Sequence, residues 1–190
     1  MIKAIKKISV VFGSIILIVL SAYSTSKQAV FPEQISWRTH FLASPDEHSP
    51  FYALTATRWQ YSYNASIRGN DLHINFKFIA GVDPSQSWVK LNRLKGAESK
   101  QKLLNHEQGH VNINFLLLKD GEQKVRFRNY TVKNYKKLIQ ENANKVSAYY
   151  QKMQKQYDEE TKHGADDVQQ KRWDGLIEEQ LKKFIKVSLP

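Results

Sequence analysis

The chain has 190 residues, of which 41% are hydrophobic and 25% charged, an ordinary globular composition that argues against disorder and suits one domain with small appendages. It has no cysteine, so disulfide staples and thiolate metal sites are excluded, and any metal must be held by nitrogen and oxygen ligands. The net charge of +11 would suit an anionic partner, although a solvated helical face between Lys119 and Lys155 explains much of it more simply.

The chain opens with a positive head, Lys3, Lys6 and Lys7, followed by Ile8 to Leu20, apolar apart from Ser9, Gly13 and Ser14. Ala22-Tyr23-Ser24 then places small residues where a signal peptidase reads them. This layout predicts that residues 1–24 are a signal peptide or a retained membrane anchor, the apolar run being short for a bilayer span. Residues 25–190 would then form one domain outside the cytoplasm: secreted, periplasmic or on the cell envelope. Nucleic acid is not an expected partner there. An anionic envelope surface is, and a membrane only if the leader is retained.

A short strand is predicted around Ile35 to Trp37, followed by a loop at Pro45–Pro50. From Thr55 to Tyr63 the odd positions are β-branched or aromatic, and from Leu72 to Phe78 apolar and polar residues alternate. These period-two runs flank Arg68-Gly69-Asn70-Asp71 and predict a β-hairpin. Trp88–Leu91 reads as a short extended or helical piece. After Gly96 the period changes: Leu103, Leu104, Val111, Ile113, Leu117 and Leu118 predict a helix over about 97–118, broken at Asp120-Gly121. A second helix is predicted over about 131–160, with Tyr135, Leu138, Ile139, Val146, Tyr149, Met153 and Tyr157 on one stripe. His163-Gly164 would end it, and a third helix would cover about 166–186, burying Trp173, Leu176, Ile177, Leu181 and Phe184. The fold class is α+β and zincin-like: a small antiparallel sheet, an active-site helix, then two further long helices.

The chemistry concentrates in His106-Glu107-Gln108-Gly109-His110. Two histidines four apart share one helix face, so two imidazoles can reach one Zn²⁺ at roughly 2.0–2.1 Å. Glu107 lies beside them as the candidate general base that takes a proton from zinc-activated water. A third protein ligand is needed. Metzincin spacing would put glycine and histidine where this chain has Ile113 and Leu116, which excludes that class. His163, Glu122, Glu141, Glu159 and Glu160 all remain open on chemistry alone.

The chain resembles the secreted bacterial proteins grouped as domain of unknown function 922, described as zinc-dependent proteases. The likeness rests on Ile35-Ser36-Trp37, Ser87-Trp88-Val89, Leu103-Leu104-Asn105-His106-Glu107-Gln108-Gly109-His110 and Tyr157-Asp158-Glu159-Glu160-Thr161-Lys162-His163-Gly164, with Gln170 and Trp173. It implies His163 as third ligand, with Tyr157 and Thr161 as neighbours of the site. Tyr157 would then be a candidate catalytic donor to an oxyanion, or else a packed aromatic. Asp158 would orient a ligand histidine or lie as a carboxylate on the helix surface. Relatives often have Phe-Asp where this chain has Val111-Asn112, which would weaken any contact that Asp makes.

The predicted function is a zinc-dependent metallopeptidase acting on a protein or peptide substrate, whose backbone would pair with the strand Leu72 to Ile79. The rivals are a zinc-dependent amidase acting on cell-wall peptide, and a non-catalytic zinc-containing module that binds the envelope.

Overall fold

The computed structural model describes residues 31–126 and 128–187, with side chains to residue 184. The predicted leader lies outside the described residues. Among these residues no helix is long and apolar enough to cross a membrane.

The architecture is α+β, with small antiparallel sheets followed by three long helices. One helical turn, α1 (Trp37–His40), leads to β1 (Ala53–Leu54), β2 (Thr57–Arg68), β3 (Asp71–Val82) and β4 (Trp88–Val89). A 3-10 turn at Leu91–Arg93 precedes α2 (Gly96–Arg126), α3 (Tyr135–Thr161) and α4 (Asp167–Val187). The strands form two separate pairs, β1 with β4 and β2 with β3, both antiparallel.

The predicted hairpin is β2–β3, and it runs five residues further along its first strand than the alternation reached. Arg68 pairs with Asp71, leaving a two-residue turn whose first residue, Gly69, has φ +62°. A positive φ at that position is what a type II′ turn demands, and glycine supplies it without steric cost. The alternation decides which face is buried. Trp59, Tyr61 and Tyr63 of β2 lie opposite Ala80, Phe78 and Phe76 of β3, and all six side chains join the main core. The rest of that core comes from Ile113, Leu116 and Leu117 of α2, from α3, and from Trp173, Ile177 and Leu181 of α4.

Four expectations are corrected. Ile35 forms no strand: its N–H donates to the Gln108 side chain at 2.9 Å, while the Ser36 carbonyl accepts from Thr39 and His40 and starts α1. Asp120-Gly121 does not break α2, which continues to Arg126. Gly121 is there for contact, because a Cβ on it would stand 2.9 Å from Cζ2 of the buried Trp59. The stripe of α3 passes through Tyr150, not Tyr149: Tyr135, Ile139, Ala143, Val146, Tyr150, Met153, Tyr157 and Thr161 are buried at steps of three or four, with Gln154 buried beside Met153, whereas Tyr149 is exposed. On α4, Leu176 is exposed while its neighbour Ile177 is buried.

The Gly121 contact gives a test. In an open helix Gly→Ala gains about 1 kcal/mol. Here the added methyl meets a ring that has nowhere to go, so Gly121→Ala should lower stability by about 1–3 kcal/mol in a urea titration. A stability gain would show that the contact is not tight.

Candidate metal centre

His106, Glu107 and His110 lie in the upstream half of α2, and their helix is the one the other long elements pack around. His106 and Glu107 are buried. The rings of His106 and His110 stand edge to face with centroids 4.9 Å apart, the arrangement expected one turn apart on one face.

What meets them comes from the end of α3. Asp158 Oδ1 lies 3.2 Å from His106 Nε2 and 3.0 Å from His110 Nε2. His163 Nδ1 approaches the same oxygen at 3.4 Å. Three imidazoles therefore point at one carboxylate oxygen. Among the described residues, His106, His110 and Asp158 form a compact group that could hold a metal ion, with ligand atoms all within 4.8 Å of one another. Bonds of about 2.0–2.1 Å in a tetrahedron separate neighbouring ligand atoms by roughly 3.3–3.4 Å. The spacing between Asp158 and the two imidazoles is close to that edge.

His163 sits at the mouth of this group, with its side chain 45% exposed and its ring 4.2 Å from that of Phe51. It gets there through an unusual chain reversal: Lys162, His163 and Gly164 all have positive φ. A side chain at Gly164 would also collide with His106, whose Cβ would be 2.8 Å away. The glutamates that competed for the third position are engaged elsewhere. Glu141 and Glu159 pair with Lys137 and Lys155 on α3. Glu160 accepts from Trp173 and Arg172, and Glu122 is buried near Lys119.

Tyr157 is fully buried and stacked on His106, with centroids 4.7 Å apart. Its hydroxyl donates to the His106 backbone carbonyl at 3.0 Å and accepts from Gln170 Nε2 at 2.7 Å. Gly109 makes this approach possible, since a Cβ there would lie 2.2 Å from the Tyr157 hydroxyl. Burial, partly offset by the Gln170 hydrogen bond and reinforced by Asp174, Glu107 and Asp158, pushes the phenol pKa far up. Tyr157 therefore keeps its proton, and that proton is committed to His106.

Several polar partners were not read as site residues from the sequence. Glu107 Oε2 accepts from Thr55 Oγ1 at 2.5 Å, which fixes the carboxylate from the β1–β2 connection. His110 Nδ1 meets Gln154 Oε1 at 2.5 Å, and Gln154 Nε2 donates to the His110 carbonyl at 2.9 Å. On the other side, His106 Nδ1 meets Gln170 Oε1 at 3.1 Å. A signal was available in α3: Gln154, Tyr157, Asp158 and Thr161 fall at i, i+3, i+4 and i+7, polar groups on a face that otherwise packs inward. Asn112 is not at the centre. It accepts from Gln108 Nε2 at 2.9 Å, and the same amide nitrogen holds the Glu33 carbonyl at 2.8 Å.

The electrostatics follow from this crowding. Burial alone would lower the His110 pKa, but the hydrogen bond and charge of Asp158, with the charge of Glu107, outweigh it and raise the value to about 9. Burial alone would raise Asp158, yet hydrogen bonds from His106 and His110 and their charge hold its carboxyl well below the usual range. The centre thus concentrates negative charge on a point faced by imidazole nitrogens, the electrostatic setting a divalent cation requires.

No curated protein and no solved structure matches the chain. The family described as "Bacterial protein of unknown function (DUF922)" matches residues 33–164, a span that holds the hairpin, the whole His-Glu-Gln-Gly-His segment and the chain reversal at His163-Gly164. On that match the chain belongs to the DUF922 family of bacterial proteins.

Proposed function

We propose that this protein is a zinc-dependent, zincin-like hydrolase of peptide bonds, working outside the cytoplasm behind its N-terminal leader. The observation that carries the reading is the convergence of His106 Nε2 and His110 Nε2 on Asp158 Oδ1 beside the buried Glu107. Two imidazoles and a carboxylate without thiolate are a donor set that fits catalytic zinc. His106, His110 and Asp158 would hold the ion. We assign His163, half-exposed with its ring against Phe51 and Nδ1 3.4 Å from Asp158 Oδ1, to the substrate side of the centre rather than to the ligand set. Bound zinc supplies Lewis acidity, polarising a carbonyl and acidifying water.

The protein's own groups divide the remaining work. Thr55 holds Glu107 through Oε2, which leaves Oε1 to take the proton of the attacking water and pass it to the leaving nitrogen. Tyr157 positions His106 and does not touch the oxyanion, because its single proton lies on the His106 carbonyl. Leu72 to Ile79 is a poor substrate strand, since it lies over the downstream half of α2 with Phe78 against Arg126. The better edge is β1. Lys90 N–H donates to Tyr52 O, so by antiparallel alternation Leu54 faces β4 and Ala53 and Thr55 turn their backbone groups outward. That edge runs from Phe51, against His163, to Thr55, against Glu107.

Metal content decides the reading. Purified wild-type protein should contain one zinc per chain, and Asp158→Ala should lose it, whereas His163→Ala should retain it with weakened hydrolysis. Zinc lost on His163→Ala and retained on Asp158→Ala would return the third ligand to His163. Zinc lost in neither, or absent throughout, would defeat the hydrolase reading. Incubation with denatured protein and with purified peptidoglycan separates a protease from a wall amidase.

A further inference from the structure

We infer that two glutamines, Gln154 and Gln170, act as positioning residues that fix the tautomer of both histidines of the centre, and that α4 is therefore part of the functional site. The inference rests on the metal-centre reading for its purpose, but its geometry stands alone.

The argument follows the protons. The only proton of Tyr157 goes to the His106 carbonyl, so towards Gln170 the phenol oxygen can only accept. The group of Gln170 facing it must then be the NH₂, which lies 2.7 Å away. That amide nitrogen also donates to Asp174 Oδ1 at 2.7 Å, and Asp174 is held in turn by Asn105 Nδ2 at 2.9 Å. With its nitrogen committed twice, Gln170 presents its oxygen to His106 Nδ1. An oxygen there accepts, so Nδ1 carries a proton and Nε2 is the nitrogen left to bind a metal.

A second acceptor agrees. Thr161 Oγ1 lies 3.4 Å from the same Nδ1 and gives its own proton to the Tyr157 carbonyl at 2.7 Å. It too can only accept from His106. On the other histidine, Gln154 repeats the device from α3. Its NH₂ donates to the His110 carbonyl, so its oxygen faces His110 Nδ1, and Nε2 is the nitrogen of that ring whose proton a metal would displace.

Each histidine is thus held by an amide that cannot turn over without losing its own partners. Groups of this kind raise ligand basicity and fix ring orientation. Gln170 and Asp174 lie beyond residue 164, where the family match ends. The functional unit extends past that match into α4.

The test uses the full chain with zinc as the probe. Gln170→Leu and Gln154→Leu should each weaken zinc binding roughly 10–100-fold in a competition titration. In nitrogen-labelled metal-free protein, each should also lose one exchange-protected imidazole Nδ1–H signal. Folded leucine variants with unchanged affinity and both signals intact would overturn the inference. If wild type shows both protected signals and binds no zinc, the tautomer assignment stands and the hydrolase proposal falls.

Discussion

Glu107→Gln should reduce hydrolysis by roughly 10²–10⁴-fold, the usual contribution of a general base, while leaving zinc content at the wild-type level. Glu107 is buried beside His106 but lies outside the compact ligand group, so its loss removes a proton acceptor without removing a donor atom to the metal. The amide preserves volume and can still accept from Thr55 through its oxygen. Its nitrogen carries no lone pair able to take a proton at neutral pH. Turnover and metal content measured on the same preparation separate this outcome from simple loss of the site. Full turnover with zinc bound would remove Glu107 from the mechanism, and loss of zinc with turnover would assign it to the ligand set.

The parts of this centre differ in how far the sequence alone reveals them. His106, Glu107 and His110 are legible because a helix converts a spacing of four into a shared face, whatever surrounds it. The hairpin is legible for the same reason: a period of two and a Gly-Asn turn are local facts. Asp158 is different. Its sequence neighbours are those of a solvated helix end, and only the packing of α3 across α2 brings its oxygen to two imidazoles about fifty residues away. Gln154 shares the inward face of α3 with Tyr157 and Asp158, and Gln170 belongs to the family likeness, but neither glutamine shows which histidine it holds until its hydrogen-bond partners are known. The mistaken break at Asp120-Gly121 has a related origin. Glycine reads as a stop in sequence, but here its missing side chain makes room for Trp59, a contact between residues more than sixty positions apart.

Zinc affinity should rise about tenfold per pH unit from pH 6.5 to pH 8.5, with roughly one proton released per ion bound. The cause is His110, whose pKa in the metal-free protein is raised to about 9 by Asp158 and Glu107 against the effect of burial. At neutral pH the ion must displace a proton from this ring, whereas a histidine at the ordinary value of 6.5 would already be neutral and the affinity would be flat. Calorimetry in buffers of differing ionisation enthalpy measures the proton directly. Stability of the metal-free form should move the opposite way. A folded-state pKa raised above the unfolded value contributes stability that is complete below pH 6.5 and is lost as pH rises through about 9. The depressed Asp158 contributes stability above its ordinary pKa of 3.8, lost only as pH falls through the lowered value. The cluster therefore favours the metal-free fold most between about pH 4 and 6.5, and the thermal stabilisation conferred by zinc should grow steadily on the alkaline side. A flat affinity profile from pH 7 to 8.5, with no proton released, would mean that His110 does not bind the ion through the nitrogen that faces Asp158.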